Sequence, residues 1–356
     1  MTAAILSIER FVPPYRYEQE TVTGWVREWL AKAEDRSSER LLTVYESSAV
    51  LRRGSVVPIE QVFAGGDFES QNDLHGAISR AAGISLAQRS LDSAGLVPKD
   101  VGLIVSISCT GFSIPALDAF IANELDMGPR LARLPITEAG CAGGVVGLAR
   151  ARDYLAAHPD RVALVIAMEF ASLTFQRWDY SATNVVSAAI FGDGGAAVVL
   201  VGDEHPLAAS RGLARITAAE GIFFPGTTKM MGFRLRNEGL QIILDRSLAP
   251  FVRREVGGAL ESFLTPLELT PRDIQHWIFH PGGSRVIEVI AQAIGIDQAE
   301  LVATQTVLAE HGNMSSVTVL YVLDELLQRA HPAGGERGVV GAFGPGFGAE
   351  FALLEF

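Results

Sequence analysis

From about residue 75 the chain alternates two kinds of apolar pattern. In GAISRAAGISLAQRSLDSAG, apolar and small side chains return every three or four positions, which predicts a helix that ends at Gly95. Between such stretches lie short runs: VGLIVSISC is too short and too β-branched for a buried helix and predicts a strand, ARLPI is strand-like, and RVALVIAME predicts another strand. A second helix is predicted from about Ala142 to Ala157. Strands and helices in alternation are the pattern of an α/β fold built on central sheets. Residues 1–75 are more polar and less regular, and AEDRSSER there reads as an exposed helix or loop.

The pattern repeats. LVPKDVGLIVSIS resembles LTPRDIQHWIFHP, so that Asp100 recurs as Asp273, and Cys141 and Asn313 stand at nearly the same offset. Each of the latter two precedes a helical stretch, AGGVVGLARARDYLAA or MSSVTVLYVLDELLQRA, and then a buried strand. Two matches at one offset predict two related halves, 1–205 carrying Cys141 and 206–356 carrying His280 and Asn313. No tandem short repeat competes with this reading.

Composition narrows the class. A chain of 356 residues can bury a large core, and 48% apolar with only 20% charged residues predicts extensive interior or subunit interface, hence an oligomer. The net charge of -12 excludes a phosphate-backbone binder, although a few local arginines can still hold an anionic ligand. Nucleic acid is therefore not expected as a partner. Two cysteines, Cys109 and Cys141, suffice neither for a disulfide framework nor for a four-ligand zinc site, and no metal is expected. The N-terminal stretch lacks the basic and apolar regions of a signal peptide, and no segment has the ~20 apolar residues that span a bilayer. A cytoplasmic protein is expected.

Cys141 lies where a short apolar run gives way to a helix, between glycines. A sulfur at a helix start lies near unpaired N–H groups and the positive end of the dipole, both of which favour thiolate. Gly140 permits a tight turn, and Gly143 and Gly144 leave room beside the sulfur for substrate or neighbouring backbone. Free cysteines are more often small buried hydrophobes, so further residues are needed. His280 ends the apolar run WIFH and opens into Pro281, Gly282 and Gly283, a setting that the other six histidines lack. Asn313, an ordinary N-cap residue before Ser315 and Ser316, gains weight from the repeat. A thiolate that accepts an acyl group, with two donors for an enolate or oxyanion, makes an acyl-transfer site. A papain-like hydrolase uses the same residue types but predicts no duplicated halves. A binding or scaffold protein has no need of all three in glycine-rich turns.

GCAGG, IFGDGGAA, HPGGS, HGNMSS and AFGPG resemble, in order and spacing, the motifs of type III polyketide synthases, the chalcone-synthase-like condensing enzymes of the thiolase fold. The likeness runs from about residue 75 to the C-terminus, and the first 70 residues match loosely. It implies two α/β halves, each with a five-stranded sheet, in αβαβα layers, as a homodimer. Cys141 would be the acyl-accepting nucleophile, kept ionised by His280. His280 and Asn313 would bind the malonyl thioester, promote decarboxylation and stabilise the enolate.

The same resemblance makes Phe191 a gatekeeping aromatic between CoA tunnel and reaction cavity. A second gate position falls on Ile242, which widens the gate, and Phe233 stands where plant enzymes have glycine. Cys109 lines the cavity as in bacterial relatives, and Ile114 reaches the partner subunit's cavity. Thr110, Glu169, Thr174, Ser187, Ser315, Gly344 and Pro345 complete the surroundings. For CoA, Arg40 matches a basic position, Ser47 replaces a lysine, and Arg285 beside Gly282 supplies charge at the tunnel mouth. CoA thioesters would be substrates, with no cofactor and with an acyl carrier protein as a further donor. The chain looks most like bacterial alkylresorcinol and alkylpyrone synthases, which extend fatty acyl starters with malonyl units. Alternatives are malonyl-CoA-only synthases of tetrahydroxynaphthalene or phloroglucinol, and a ketosynthase that joins two β-ketoacyl chains into a pyrone.

Overall fold

Two of the apolar runs form strands buried on both faces, Val101–Ile107 and Val162–Phe170, with helical stretches covering them, whereas ARLPI forms a largely exposed edge strand. The computed structural model describes residues 2–33 and 41–356. In chain order, its first part comprises β1 (Ala3–Phe11), β2 (Tyr15–Glu18), α1 (Gln19–Leu30), α2 (Thr43–Ser47), β3 (Arg52–Ser55), α3 (Ile59–Ala64), α4 (Phe68–Ala94), β4 (Val101–Ile107), α5 (Leu117–Glu124) and β5 (Ala132–Ile136). Then come α6 (Gly143–Ala157), β6 (Val162–Phe170), α7 (Ala182–Ile190), β7 (Asp193–Gly202), α8 (Leu207–Ser210) and β8 (Ala214–Phe223). The remainder is β9 (Met231–Arg236), β10 (Gly239–Leu244), α9 (Leu248–Leu264), β11 (His276–Phe279), α10 (Ser284–Ile294), α11 (Val302–His311), α12 (Thr318–Ala330), β12 (Arg337–Gly344) and β13 (Gly348–Glu355).

Nine strands share one sheet in the order β11-β12-β13-β8-β1-β7-β6-β4-β5. In the first half β4 is parallel to β6, β6 antiparallel to β7, and β7 antiparallel to β1. In the second, β11 is parallel to β12, β12 antiparallel to β13, and β13 antiparallel to β8. The same four-strand path is traced twice, and β1 joins β8 where Ala3 pairs with Ile216. The echo between the halves extends to detail: both Pro98–Asp100 and Pro271–Asp273 form a single 3-10 turn. In each, the aspartate accepts a backbone N–H three residues back, Val97 or Thr270, at 2.8 Å.

The layers arise from which helix faces are apolar. Helices α6 and α12 bury side chains such as Leu148 and Leu320 in one core with both halves of the sheet. α4 covers the outer face of the first half, and α9 with α10 that of the second. The αβαβα order results. Among the described residues no helix is long and apolar enough to cross a membrane.

The less regular first 75 residues include a central strand: β1 lies inside the sheet with Ala3, Ala4 and Ile5 fully buried, because its apolar half is inserted between β7 and β8. Five strands are found in the first half, where β5 adds an outer edge, but only four in the second. The segment AEDRSSER, apart from Ala33, lies outside the described residues, as does Arg40. Gly95 does end α4, with φ 73° in the left-handed region that glycine adopts without strain.

Candidate active site

The turn that carries Cys141 is built by close approach. Gly140 has φ +54°, and a Cβ there would meet Pro345 Cδ at 2.6 Å. One at Gly344 would lie 2.5 Å from the Ala139 carbonyl, and one at Gly144 2.4 Å from the Ser316 carbonyl. AFGPG, GCAGG and HGNMSS are thus backbone against backbone, and Gly143 and Gly144 serve a neighbouring turn rather than substrate. Cys141 lies in a 3-10 turn, Gly140–Ala142, and the α-helix proper starts at Gly143. Ser315, at φ 50°, puts its Oγ 3.2 Å from Cys109 Sγ and 3.6 Å from Cys141 Sγ. A left-handed conformation costs a residue with a side chain about 1–2 kcal/mol, and here it places one hydroxyl between two sulfurs.

The expected thiolate is not what these surroundings favour. Burial pushes the Cys141 thiol up to about 11; the Ser315 hydrogen bond opposes this, Glu169 adds to it, and its own backbone N–H offsets little. Burial also drives His280 down to about 3, and neither of its ring nitrogens has a hydrogen-bond partner. Desolvation acts on both groups in the direction of neutrality and outweighs a dipole whose helix begins two residues later. Taken singly, each group is favoured in its neutral form by its burial. Cys109 is likewise pushed well up, by burial and then by Glu169.

Glu169 is fully buried at the end of β6 and collects donors. It accepts the N–H of Cys109 (3.0 Å) and of Thr110 (3.1 Å), and the hydroxyls of Thr110 (2.7 Å) and Ser316 (2.5 Å). Behind it His75 Nε2 lies 3.2 Å from both Thr110 Oγ1 and Ser108 Oγ. The Thr110 proton is engaged by Glu169, so Nε2 carries the hydrogen and donates to Thr110. Burial holds His75 near 4, neutral.

One apolar cavity of about 1260 Å³, counting its open mouth, brings most of the predicted residues together. Cys109, Thr110, Cys141, Glu169, Thr174, Ser187, Phe191, Phe233, Ile242, Ser315 and Pro345 all line it. Phe233 and Ile242 are directly paired across β9 and β10, so both point to one face. His280 and Asn313, 3% and 2% exposed, are not among the residues that line it. Asn313 Oδ1 accepts the Ser315 N–H two residues on at 2.8 Å, although the N-cap of the turn that follows is Met314, while its Nδ2 donates to the Gly282 carbonyl at 3.2 Å and keeps a second N–H. Gly344 packs under the cysteine turn instead of facing the cavity. Ile114 is fully exposed in the single chain. Arg285 is exposed at the start of α10, where Ser284 Oγ donates to the Ser47 carbonyl at 2.9 Å.

Sequence reading missed His75, Ser316, Asp193 and Arg53. Asp193, inside IFGDGGAA, accepts Val56 N (2.8 Å) and both Ser172 N (2.8 Å) and Ser172 Oγ (2.5 Å). Its motif was the available signal. His75 and Arg53 sit among polar residues whose burial only the tertiary fold decides.

The family models for the N- and C-terminal domains of chalcone and stilbene synthases match residues 67–204 and 215–355. The chain is 38% identical over 360 residues to a 1,3,6,8-tetrahydroxynaphthalene synthase of Streptomyces peucetius subsp. caesius, covering 99% of this chain and 93% of that protein. It is 30% identical over 325 residues to the alpha-pyrone synthesis polyketide synthase-like Pks18 of Mycobacterium tuberculosis, covering 89% and 82%. The crystal structure of 1,3,6,8-tetrahydroxynaphthalene synthase from Streptomyces coelicolor A3(2), a bacterial type III polyketide synthase, superposes with a TM-score of 0.93 at 27% identity over 99% of each chain. Duplicated halves, the cysteine turn and these likenesses agree: the chain belongs to the chalcone and stilbene synthase family, the type III polyketide synthases, acyltransferases of the thiolase fold that condense malonyl-CoA.

Proposed function

We propose that this enzyme loads an alkyl acyl thioester on Cys141, extends it with malonyl-CoA and closes the product to an alkylpyrone or alkylresorcinol. Cys141 Sγ attacks the starter carbonyl and CoA leaves with the thiol proton. In malonyl-CoA the bond to the carboxylate breaks, CO2 departs, and the electron pair forms an enolate that the free N–H of Asn313 and an N–H of neutral His280 receive. The enolate carbon attacks the acyl group, the C–S bond breaks, and the sulfur is regenerated.

The observation that carries the alkyl starter is the apolar lining that Val22, Val26, Ile59, Val62, Phe63 and Phe175 give the cavity. An apolar wall of that kind gains about 0.8 kcal/mol per methylene taken from water. A malonyl-CoA-only synthase is the second reading, favoured by the 38% identity to a tetrahydroxynaphthalene synthase. The exposed Ile114 suits cover by a second copy, and Arg285 beside Ser47 suits the CoA phosphates, with no cofactor besides the thioester substrates. Carrier-protein delivery and a cytoplasmic location complete the reading. Radiolabelled malonyl-CoA with acetyl-, hexanoyl- or palmitoyl-CoA, beside Cys141→Ala, tests it. Cys141-dependent alkylpyrones or alkylresorcinols support the first reading, products from malonyl-CoA alone the second, and no extension from either CoA or carrier-bound substrates refutes both.

A further inference from the structure

Arg53 is a buried arginine, 7% exposed, on the lining of the cavity and within reach of the buried Asp193 carboxylate. Four of its five N–H groups are bonded: Nη1 donates to the carbonyls of Ala188 (2.6 Å) and Phe191 (2.8 Å), Nη2 to that of Ala189 (2.6 Å) and to Gln19 Oε1. The three carbonyls belong to the last turn and cap of α7, where a helix leaves acceptors unpaired and carries the negative end of its dipole. Gln19 adds its own bond to Ala189, at 2.9 Å.

The gate residue Phe191 comes directly after α7, and the asparagine lies across from it. Phe191 bridges Asn313 in parallel: Asn313 N donates to the Ile190 carbonyl at 2.7 Å, and Gly192 N to the Asn313 carbonyl at 3.0 Å. There is no slack in this contact. A Cβ on Gly192 would lie 2.4 Å from the His311 carbonyl and 3.2 Å from Arg53 Cβ, and one on Gly312 2.8 Å from the Ile190 carbonyl. Any shift of the α7 terminus therefore displaces Phe191 and Asn313 together.

We propose that Arg53 is a positioning residue for the condensation, fixing Phe191 and, through the bridge, Asn313. This assignment rests on the proposed function, in which Asn313 serves decarboxylation and Cys141 serves loading. Misplacing a positioned group by ~1 Å costs on the order of 100-fold in rate. The two steps should therefore differ in the size of the effect in Arg53 variants, because Asn313 is bonded to the bridge directly, whereas the Cys141 sulfur meets this segment through the Ser315 hydroxyl.

The test measures CO2 release from malonyl-CoA and alkylation of Cys141 by iodoacetamide in wild type, Arg53→Met and Arg53→Lys, with the Tm of each. Arg53→Met should lower kcat for decarboxylation by about 100-fold, with KM unchanged and alkylation slowed by no more than about 10-fold, the limit set by the one Ser315 hydrogen bond to the sulfur. Arg53→Lys, which keeps the charge but loses the planar fork, should fall between. If the methionine variant does not fold, the lysine variant is judged by the same split. Equal losses in both reactions, or no loss of decarboxylation, overturn the assignment and leave the functional reading intact. A wild-type protein that releases no CO2 overturns the functional reading, and the role of Arg53 falls with it.

Discussion

Protonation of Cys141 is the point at which local sequence and tertiary structure disagree most. The perturbation is pH. A thiol with a pKa of about 11 is roughly one part in a thousand thiolate at pH 8, against about a quarter for an ordinary thiol near 8.5. The thiolate of the weaker acid is the better nucleophile, with a slope of about 0.4–0.5, which recovers about a factor of ten. The net deficit at pH 8 is on the order of tenfold relative to a free thiol. More telling is the shape: the rate should climb about tenfold per pH unit from 7 to 10 without levelling. Iodoacetamide alkylation, followed by mass analysis of the Cys141 peptide beside Cys141→Ala, reads that shape directly. A rate that is flat between pH 6 and 8 would refute the reasoning, since it requires a thiolate already formed. If His280→Ala then made the flat profile steep, His280 would be its source.

Ser315→Ala removes the hydroxyl that stabilises the Cys141 thiolate, so the thiol pKa rises further and alkylation at pH 9 slows roughly 2- to 10-fold, as one hydrogen bond of ~0.5–1.5 kcal/mol implies. Gly144→Ala sets a Cβ 2.4 Å from the Ser316 carbonyl and 2.7 Å from Val319 Cγ1, and overpacking of ~1–3 kcal/mol outweighs the ~1 kcal/mol that alanine gains in a helix; a Tm at or above wild type contradicts this. Ile242→Phe narrows the cavity beside Phe233, so utilisation of palmitoyl-CoA should fall about tenfold or more by the same overpacking cost while acetyl-CoA is little affected. Equal losses for both starters would mean that Ile242 does not bear on chain length. Arg285→Ala should raise KM for acyl-CoA without lowering kcat, and an unchanged KM removes it from the CoA site.

Much of the site was legible because glycine-rich motifs constrain backbone locally. Gly140, Gly144 and Gly344 are where three turns meet, and their residue type is required wherever a Cβ would strike backbone. The strand-entry turns at Asp100 and Asp273 were legible for the same reason, since each is closed by its own side chain. Buried polar residues in polar surroundings escaped. His75 lies on a long helix and Arg53 on a short strand, and neither neighbourhood has an apolar pattern that announces burial.

Sequence alone determined the elements, the duplication and the chemistry available, because hydrophobic period, turn residues and residue type act over a few positions. Only the tertiary structure decided where β1 goes, that one hydroxyl is shared by two sulfurs, and that burial pushes the Cys141 thiol up and the His280 imidazole down. The reason is physical. Desolvation depends on everything packed around a group, and its partners here come from segments up to two hundred residues away, as Cys109 and Ser315 do.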